Sequence, residues 1–141
     1  MNFLLAPLMS CLIATPLTPK GLDEYKDCKK VELQIETVSY WQPLIEFYFK
    51  EEDVIRAMRI VYCESTGYSN AVGINKDGSK DIGLFQFNDR TFTWLKNKLT
   101  RMTGSWNRLD PVFSTKLASW LVYNDGWYHW NSSKHCWGSD V

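Results

Sequence analysis

The stretch CESTGYSNAVGINKDGSKDIGLFQFN, residues 63–88, joins the end of an apolar helical pattern to a turn and a strand-like run. Glu64 closes the helical pattern, and Asp81 follows a turn rich in Asn, Asp, Gly and Ser. Asp77-Gly78 is the strongest hairpin-turn signal in the chain. The stretch therefore predicts a helix followed by a small hairpin, with one carboxylate on each.

Helical patterns flank this hairpin on both sides. Residues 51–63 place acids in a first turn and apolar side chains at helical spacing, and Gly67 follows as a stop. Residues 38–49, 91–99 and 111–123 are also expected to be helical, the first with Pro43 in its first turn and the last with Leu117, Trp120 and Leu121 on one side. Residues 81–88 are expected to form a strand, or a strand that enters a loop. The predicted fold class is α+β and mostly helical, with a small β-hairpin lobe.

Composition and charge limit the possible functions. The 141 residues suffice for one domain, and 45% hydrophobic residues argue against disorder. The formal net charge is zero, with 16 basic and 16 acidic residues. Because phosphate binding needs a basic excess, we expect no nucleic-acid partner.

Residues 1–19 carry no charged side chain, and the first charged residue is Lys20. The apolar run FLLAPLMSCLIA has the length of a signal-peptide core and is too short to span a bilayer. We therefore predict a signal peptide over residues 1–19, a linker or extension over residues 20–38 and the folded domain over residues 39–141. The alternatives are a buried N-terminal helix and a lipid anchor on Cys11. The expected location is secreted, or periplasmic in a bacterium, without stable membrane insertion.

The two carboxylates have different local surroundings, as the cleavage of a glycosidic bond requires. One carboxyl must be protonated to donate to the leaving oxygen, and the other must be ionised to attack or to support the positive sugar. Glu64 ends an apolar helix, where desolvation would raise its pKa. Asp81 lies in a polar turn that favours the ionised form. The alternative is that Asp81 only caps neighbouring backbone N–H groups.

The order of these residues resembles the lysozyme superfamily. Chicken-type lysozymes carry Glu-Ser, then Asp-Gly-Ser-x-Asp, then x-Gly-x-x-Gln-x-Asn. The corresponding elements here are Glu64-Ser65, Asp77-Gly78-Ser79-Lys80-Asp81 and Ile82-Gly83-Leu84-Phe85-Gln86-Phe87-Asn88. Tyr123-Asn124-Asp125-Gly126 is similar to the Tyr-Asn-x-Gly motif of bacterial soluble lytic transglycosylases. The chain departs from chicken-type lysozymes in having only four cysteines.

The resemblance implies a two-lobed domain with a cleft and no cofactor. The implied activity is that of a muramidase, which cuts the β-1,4 bond between N-acetylmuramic acid and N-acetylglucosamine in peptidoglycan or a related N-acetylated polysaccharide. Glu64 would be the general acid and Asp81 its catalytic partner. Two alternatives stay open: a lytic transglycosylase that gives 1,6-anhydro products, with Asp81 outside the chemistry, and a non-catalytic carbohydrate-binding relative.

The resemblance also implies substrate contacts. Gln86 and Asn88 would hydrogen-bond the sugar or organise the site, Tyr123 would face the acid or an N-acetyl group, and Asp125 would bind a distal sugar. Trp127 would pack near Glu64 and raise its pKa. The full set of predicted substrate-binding residues is Ser65, Gln86, Asn88, Tyr123, Asp125 and Trp127.

Cysteine and histidine positions complete the predictions. Loss of Cys11 with a signal peptide leaves an odd count, and we favour the pair Cys63–Cys136, which resembles secreted bacterial members of the superfamily. Cys28 could then dimerise the protein or stay reduced, although we expect a monomer. His129 and His135 lack the further ligands of a metal site, so no metal is predicted.

Overall fold

The computed structural model describes Cys11 and residues 18–138 of the chain. Within that part, six α-helices, three short strands and one 3₁₀ helix follow one another. The helices are α1 Pro19–Ser39, α2 Gln42–Tyr48, α3 Glu51–Ser65, α4 Asp89–Lys98, α5 Pro111–Asp125 and α6 Lys134–Trp137, with the 3₁₀ helix Trp127–Ser133 between the last two. The strands are β1 Val72–Ile74, β2 Lys80–Ile82 and β3 Phe87–Asn88. The predicted fold class, α+β and mostly helical, is confirmed.

Helix α5 is the most deeply buried helix of the domain. Asp110 caps its first turn by accepting from the Val112 N–H at 2.9 Å. Its small residues Ser114 and Ala118 are fully buried beside Leu117 and Leu121, while the predicted core residue Trp120 is only partly buried. A helix that is covered on several sides needs small residues at close contacts, so a one-sided apolar stripe does not describe it.

Residues 20–38, predicted as a linker or extension, lie within helix α1. Thr18 caps α1 by accepting from the Gly21 N–H at 3.1 Å. Ile35 and Val38, near the end of α1, are buried in the main core. The helix is interrupted between Ser39 and Gln42, where α2 begins with Pro43 in its first turn, so the predicted helix over residues 38–49 is divided between α1 and α2.

The sheet is antiparallel in the order β1-β2-β3, with the predicted hairpin turn between β1 and β2. Asp81 pairs with Gly73 on one side and Asn88 on the other. Of the two predictions for residues 81–88, the strand that enters a loop is the one that forms, because Gly83 and Gln86 adopt positive φ angles of 89° and 50° and turn the chain between β2 and β3. Because directly paired residues share a face of the sheet, Asp81 and Asn88 point the same way.

The end of α3 is anchored by Gly67. Its φ is 86°, and a Cβ there would lie 2.8 Å from the backbone carbon of Thr37. Its carbonyl accepts from the Trp41 indole N–H at 2.7 Å. Only glycine fits this close approach, which joins the last turn of α3, and hence Glu64, to α1 and α2.

Two disulfides join distant parts of the chain. Cys63 is bonded to Cys136, the predicted pair, with Cα atoms 6.0 Å apart. Cys28 is bonded to Cys11, so in this structure it is neither free nor available for dimerisation. Most of the predicted signal peptide lies outside the described residues. Removal of residues 1–19 would take Cys11 away and leave Cys28 without this partner.

Candidate active site

A cleft of about 560 Å³ lies between the sheet and the helical part of the domain. Its volume is within the range of known ligand sites. One wall comes from the sheet and the start of α4, and the other from α3 and the 3₁₀ helix. The residues that line it are Glu64, Asn75, Lys76, Asp77, Ser79, Asp81, Gln86, Phe87, Asn88, Arg90, Thr91, His129, Trp130 and Ser132.

Glu64 lies in the last turn of α3 on the helical wall. The Ser133 hydroxyl donates a short hydrogen bond to its Oε1 atom. Burial raises the pKa of the Glu64 carboxyl, and the nearby charge of Asp81 raises it further, while the Ser133 hydrogen bond opposes both. The net direction is upward, because desolvation outweighs one hydroxyl donor. Glu64 therefore has the surroundings of a carboxyl that keeps its proton and can donate it.

Asp81 lies across the cleft on β2, in the middle of the sheet. The Asn88 amide donates to its Oδ1 atom at 2.8 Å, and the Asn75 amide donates to its Oδ2 atom at 3.0 Å. Both oxygens of Asp81 therefore accept a side-chain N–H group, and the carboxylate is fixed in place on the sheet wall. The opposite residue Gly73 has no side chain to cover Asp81 from β1.

Gln86 and Asn88 line the cleft and organise its sheet wall. The Gln86 amide donates to the carbonyls of Ala71 and Gly83 at 3.0 and 2.9 Å, which braces the turn after β2. Asn88 holds Asp81 through its amide N–H and caps α4 by accepting from the Arg90 N–H at 3.0 Å. These contacts are those of site-organising residues, one of the two roles predicted for them.

Ser65 lies away from the cleft. It is 5% exposed, and its hydroxyl donates to the carbonyl of Leu84 at 2.7 Å. The same oxygen accepts from the Gly67 N–H at 3.3 Å. The predicted sugar contact of Ser65 is therefore wrong in this structure, because its hydroxyl joins α3 to the turn after β2 inside the core.

Tyr123 is also far from the acid. Its hydroxyl donates to Asp53 Oδ2 at 2.9 Å and accepts from the Lys50 N–H at 2.8 Å. Asp53 is in the first turn of α3 and Glu64 is in the last, about 16 Å apart at 1.5 Å per residue. Burial is the main reason that the pKa of Tyr123 rises to about 12, so the hydroxyl remains a donor. The predicted contact of Tyr123 with the acid is not formed.

Neither Trp127 nor Asp125 lines the cleft. Trp127 stacks on Phe49 with ring centroids 6.0 Å apart and lines a separate pocket, so the predicted packing against Glu64 is not formed. Trp130 takes that place in the cleft wall. Asp125 is outside the cleft lining, but its Oδ2 atom lies 2.7 Å from Nε2 of His129, which lines the cleft.

The 3₁₀ helix supplies the residues that sequence patterns did not reveal. His129, Trp130 and Ser132 line the cleft, and Ser133 contacts the acid. Trp130 is 4% exposed and donates its indole N–H to the carbonyl of Phe85 at 2.9 Å, which fixes the helix against the sheet side. The predicted Cys63–Cys136 bridge and the predicted position of Trp127 were the sequence signals that placed this segment near Glu64.

No group of three or more His, Cys, Asp or Glu side chains in the described part of the chain could hold a metal ion. No helix within the same residues is long and apolar enough to cross a membrane.

Comparison with known proteins identifies the family. No curated protein and no solved structure gives a significant match to the chain. The model of one family, the transglycosylase SLT domain, matches residues 48–126, which is more than half of the chain. The match contains Glu64 and Asp81 and ends before the 3₁₀ helix. The chain therefore belongs to the transglycosylase SLT family, the lytic transglycosylases, whose activity is the cleavage of peptidoglycan.

Proposed function

We propose that this protein cuts the β-1,4 bond between N-acetylmuramic acid and N-acetylglucosamine, with Glu64 as the general acid. The observation that carries this proposal is the Glu64 carboxyl itself, half-buried in the cleft with a raised pKa and facing Asp81. A carboxyl whose pKa is raised by burial holds its proton to higher pH, which favours donation to a leaving oxygen.

The reaction follows from the two environments. Glu64 gives its proton to the glycosidic oxygen as the bond from C1 to that oxygen breaks. The negative charge of Asp81 stabilises the positive charge that develops on the sugar. The Glu64 carboxylate then takes a proton from the C6 hydroxyl of the same muramoyl residue. The C6 oxygen bonds to C1, and a 1,6-anhydro product forms without water.

Hydrolysis is the second candidate, and the geometry of Asp81 favours it. Its two amide donors hold it as a fixed carboxylate opposite the acid, the arrangement that a muramidase uses. In that reaction a water replaces the C6 hydroxyl as the group that bonds to C1. We place transglycosylation first because the family match points to it. The non-catalytic hypothesis is set aside, because the family is one of enzymes.

Mass spectrometry of products from purified peptidoglycan tests both candidates. Transglycosylation predicts anhydro-ended fragments, lighter by one water than the products of hydrolysis. Hydrolysis predicts fragments that gain one water at each cut. Intact glycan after incubation with the folded protein would contradict the proposal itself.

We also infer that the protein works outside the cytoplasm as a monomer. The uncharged N-terminal residues and the disulfide-forming cysteines support export, because disulfides persist in oxidising compartments. The mass of the exported chain tests this: it shows where the chain is cut, and whether Cys11 remains to bond Cys28. A mature chain that is retained in the cytoplasm in reduced form would contradict it.

A further inference from the structure

A second pocket of about 490 Å³ is lined by residues of the 3₁₀ helix that do not line the cleft. We call it the cationic pocket. It is lined by Arg56, Trp127, Tyr128, Asn131, Lys134 and Trp137, together with Gly138. The lining contains two cations and no carboxylate, in a chain whose formal net charge is zero. The pocket therefore has a local excess of positive charge, although the chain as a whole is neutral.

The two cations are available to a ligand. The Arg56 guanidinium lies over the Trp127 ring, 5.2 Å from its centroid, which holds the group in place without neutralising it. Lys134 is exposed, and neither cation forms an ion pair with a carboxylate of the described residues. Asn131 adds an exposed amide between them. These donors can form charge-assisted hydrogen bonds to a carboxylate of an extended ligand.

The position of the pocket relates it to the substrate. Ser132 lines the cleft and the next residue, Asn131, lines the cationic pocket, so consecutive residues of the 3₁₀ helix face the two cavities. The glycan of peptidoglycan carries short peptides with free carboxylates on its muramoyl residues. A peptide that leaves the cleft over Ser132 passes beside Asn131, in the lining of the cationic pocket.

We propose that the cationic pocket binds the carboxylates of the peptide on the muramoyl residue held in the cleft. Arg56 and Lys134 are then specificity-determining residues. They favour peptidoglycan over chitin and other N-acetylated glycans without peptides. The inference rests on the proposed function, because it assumes that the glycan occupies the cleft beside Glu64.

The test is a binding measurement in the Glu64→Gln chain, so that no cleavage interferes. The probes are a soluble tetrasaccharide of alternating N-acetylglucosamine and N-acetylmuramic acid with its peptides, and the same tetrasaccharide after an amidase has removed them. We expect the peptide-bearing form to bind about tenfold more tightly, as two exposed charged contacts allow. Adding Arg56→Gln and Lys134→Gln should remove that preference and leave the affinity for the bare glycan unchanged.

The matched control adds Lys26→Gln and Lys30→Gln instead. These exposed residues of α1 line neither cavity, and their substitution changes the net charge equally. The control should keep the preference. A preference that survives the Arg56 and Lys134 substitutions, or no preference in the parent chain, overturns the inference. The proposed function is judged separately, by whether the wild-type chain cuts the bare glycan.

Discussion

The two walls of the cleft treat their carboxylates in opposite ways. On the helical wall, Glu64 is half-buried and receives one hydroxyl, from Ser133. On the sheet wall, Asp81 receives two amide N–H groups, from Asn75 and Asn88. Burial raises the pKa of the Glu64 carboxyl, whereas the Asp81 carboxylate accepts hydrogen bonds from two amides. The two walls therefore give the same kind of side chain different surroundings.

The walls also differ in how they are held. The helical wall is assembled from α3 and the 3₁₀ helix, which come from distant parts of the chain and are joined by the Cys63–Cys136 bond. The sheet wall is local and is held from outside by Arg108, which donates to the Phe87 carbonyl at 2.7 Å and pairs with Asp89 at 2.7 Å. The helical wall therefore depends on a covalent link that the sheet wall lacks.

The largest expected effect comes from removing the proton donor. Glu64→Gln should lower the rate of glycan cleavage about a thousandfold, because the leaving oxygen then departs unprotonated. Release of soluble fragments from peptidoglycan measures this. Glu52→Gln, an exposed substitution in the first turn of the same helix, should keep the wild-type rate. Full activity of Glu64→Gln would end the assignment of the acid.

The second effect concerns the link in the helical wall. Replacing Cys63 and Cys136 by serine should lower the free energy of unfolding by about 2–4 kcal/mol, because the bond closes a long loop. Urea unfolding measures it. Replacing Cys11 and Cys28 is the matched control. It should cost about 1 kcal/mol less, since the sequence separation is 17 rather than 73 residues. Equal losses would show that loop length does not govern the difference.

The third effect tests whether the sheet wall takes part in the chemistry. Asp81→Asn should lower the cleavage rate about tenfold, or about 1.4 kcal/mol, while the product remains anhydro-ended. Asp77→Asn is the control, since Asp77 also lines the cleft but pairs with Arg90 at 2.8 Å. A loss at Asp81 as large as that at Glu64, with water-added products, would instead favour the muramidase.

A smaller effect concerns the hydroxyl on the acid. The Ser133 hydrogen bond lowers the pKa of Glu64 against the other causes, so Ser133→Ala should raise it. The protonated form then persists to higher pH, and the alkaline limb of the pH–activity profile should move upward. Ser132→Ala, which removes a neighbouring hydroxyl of the cleft lining, should leave the limb in place. A downward shift in Ser133→Ala would contradict the role of the hydroxyl.

The smallest effect is on stability. The pKa of Glu64 in the folded chain is raised above its ordinary value of 4.5. Above that pH, Glu64 is therefore protonated to a greater extent in the folded chain than in the unfolded chain. Ionisation of Glu64 therefore lowers the free energy of unfolding, and this loss grows with pH until the folded pKa is passed. Glu64→Gln should remove this loss and melt at a slightly higher temperature than wild type at pH 7, but not at pH 4. Equal melting temperatures at both pH values would mean that burial costs this carboxyl little.

The sequence was most informative where structure is local. The acids and apolar spacing of α3 predicted its helix and the position of Glu64 at its end, and Asp77-Gly78 predicted the hairpin that carries Asp81. Helix periodicity and turn propensity act over a few residues, so they can be recognised without the rest of the chain. The positive φ angle of Gln86, which breaks the predicted strand, carries no such signal.

Substrate contacts were predicted less well, because a motif gives residue order and not direction. Ser65 follows Glu64 in sequence, but on a helix consecutive side chains point to different faces, and Ser65 faces the core. Tyr123 belongs to a recognisable motif, yet its helix directs it to the opposite end of α3. The motif indicated the family correctly and the position of the side chain incorrectly.

The sequence by itself determined the helix with its acid, the hairpin with its partner and the cysteine pair, because each follows from short-range pattern or from a resemblance in residue order. Only the tertiary structure decided what surrounds the acid. Ser133 is 69 residues from Glu64 along the chain, and Trp130 reaches the cleft through a hydrogen bond to Phe85. Such contacts depend on how the core packs as a whole. No local stretch of the sequence is therefore sufficient to predict these contacts.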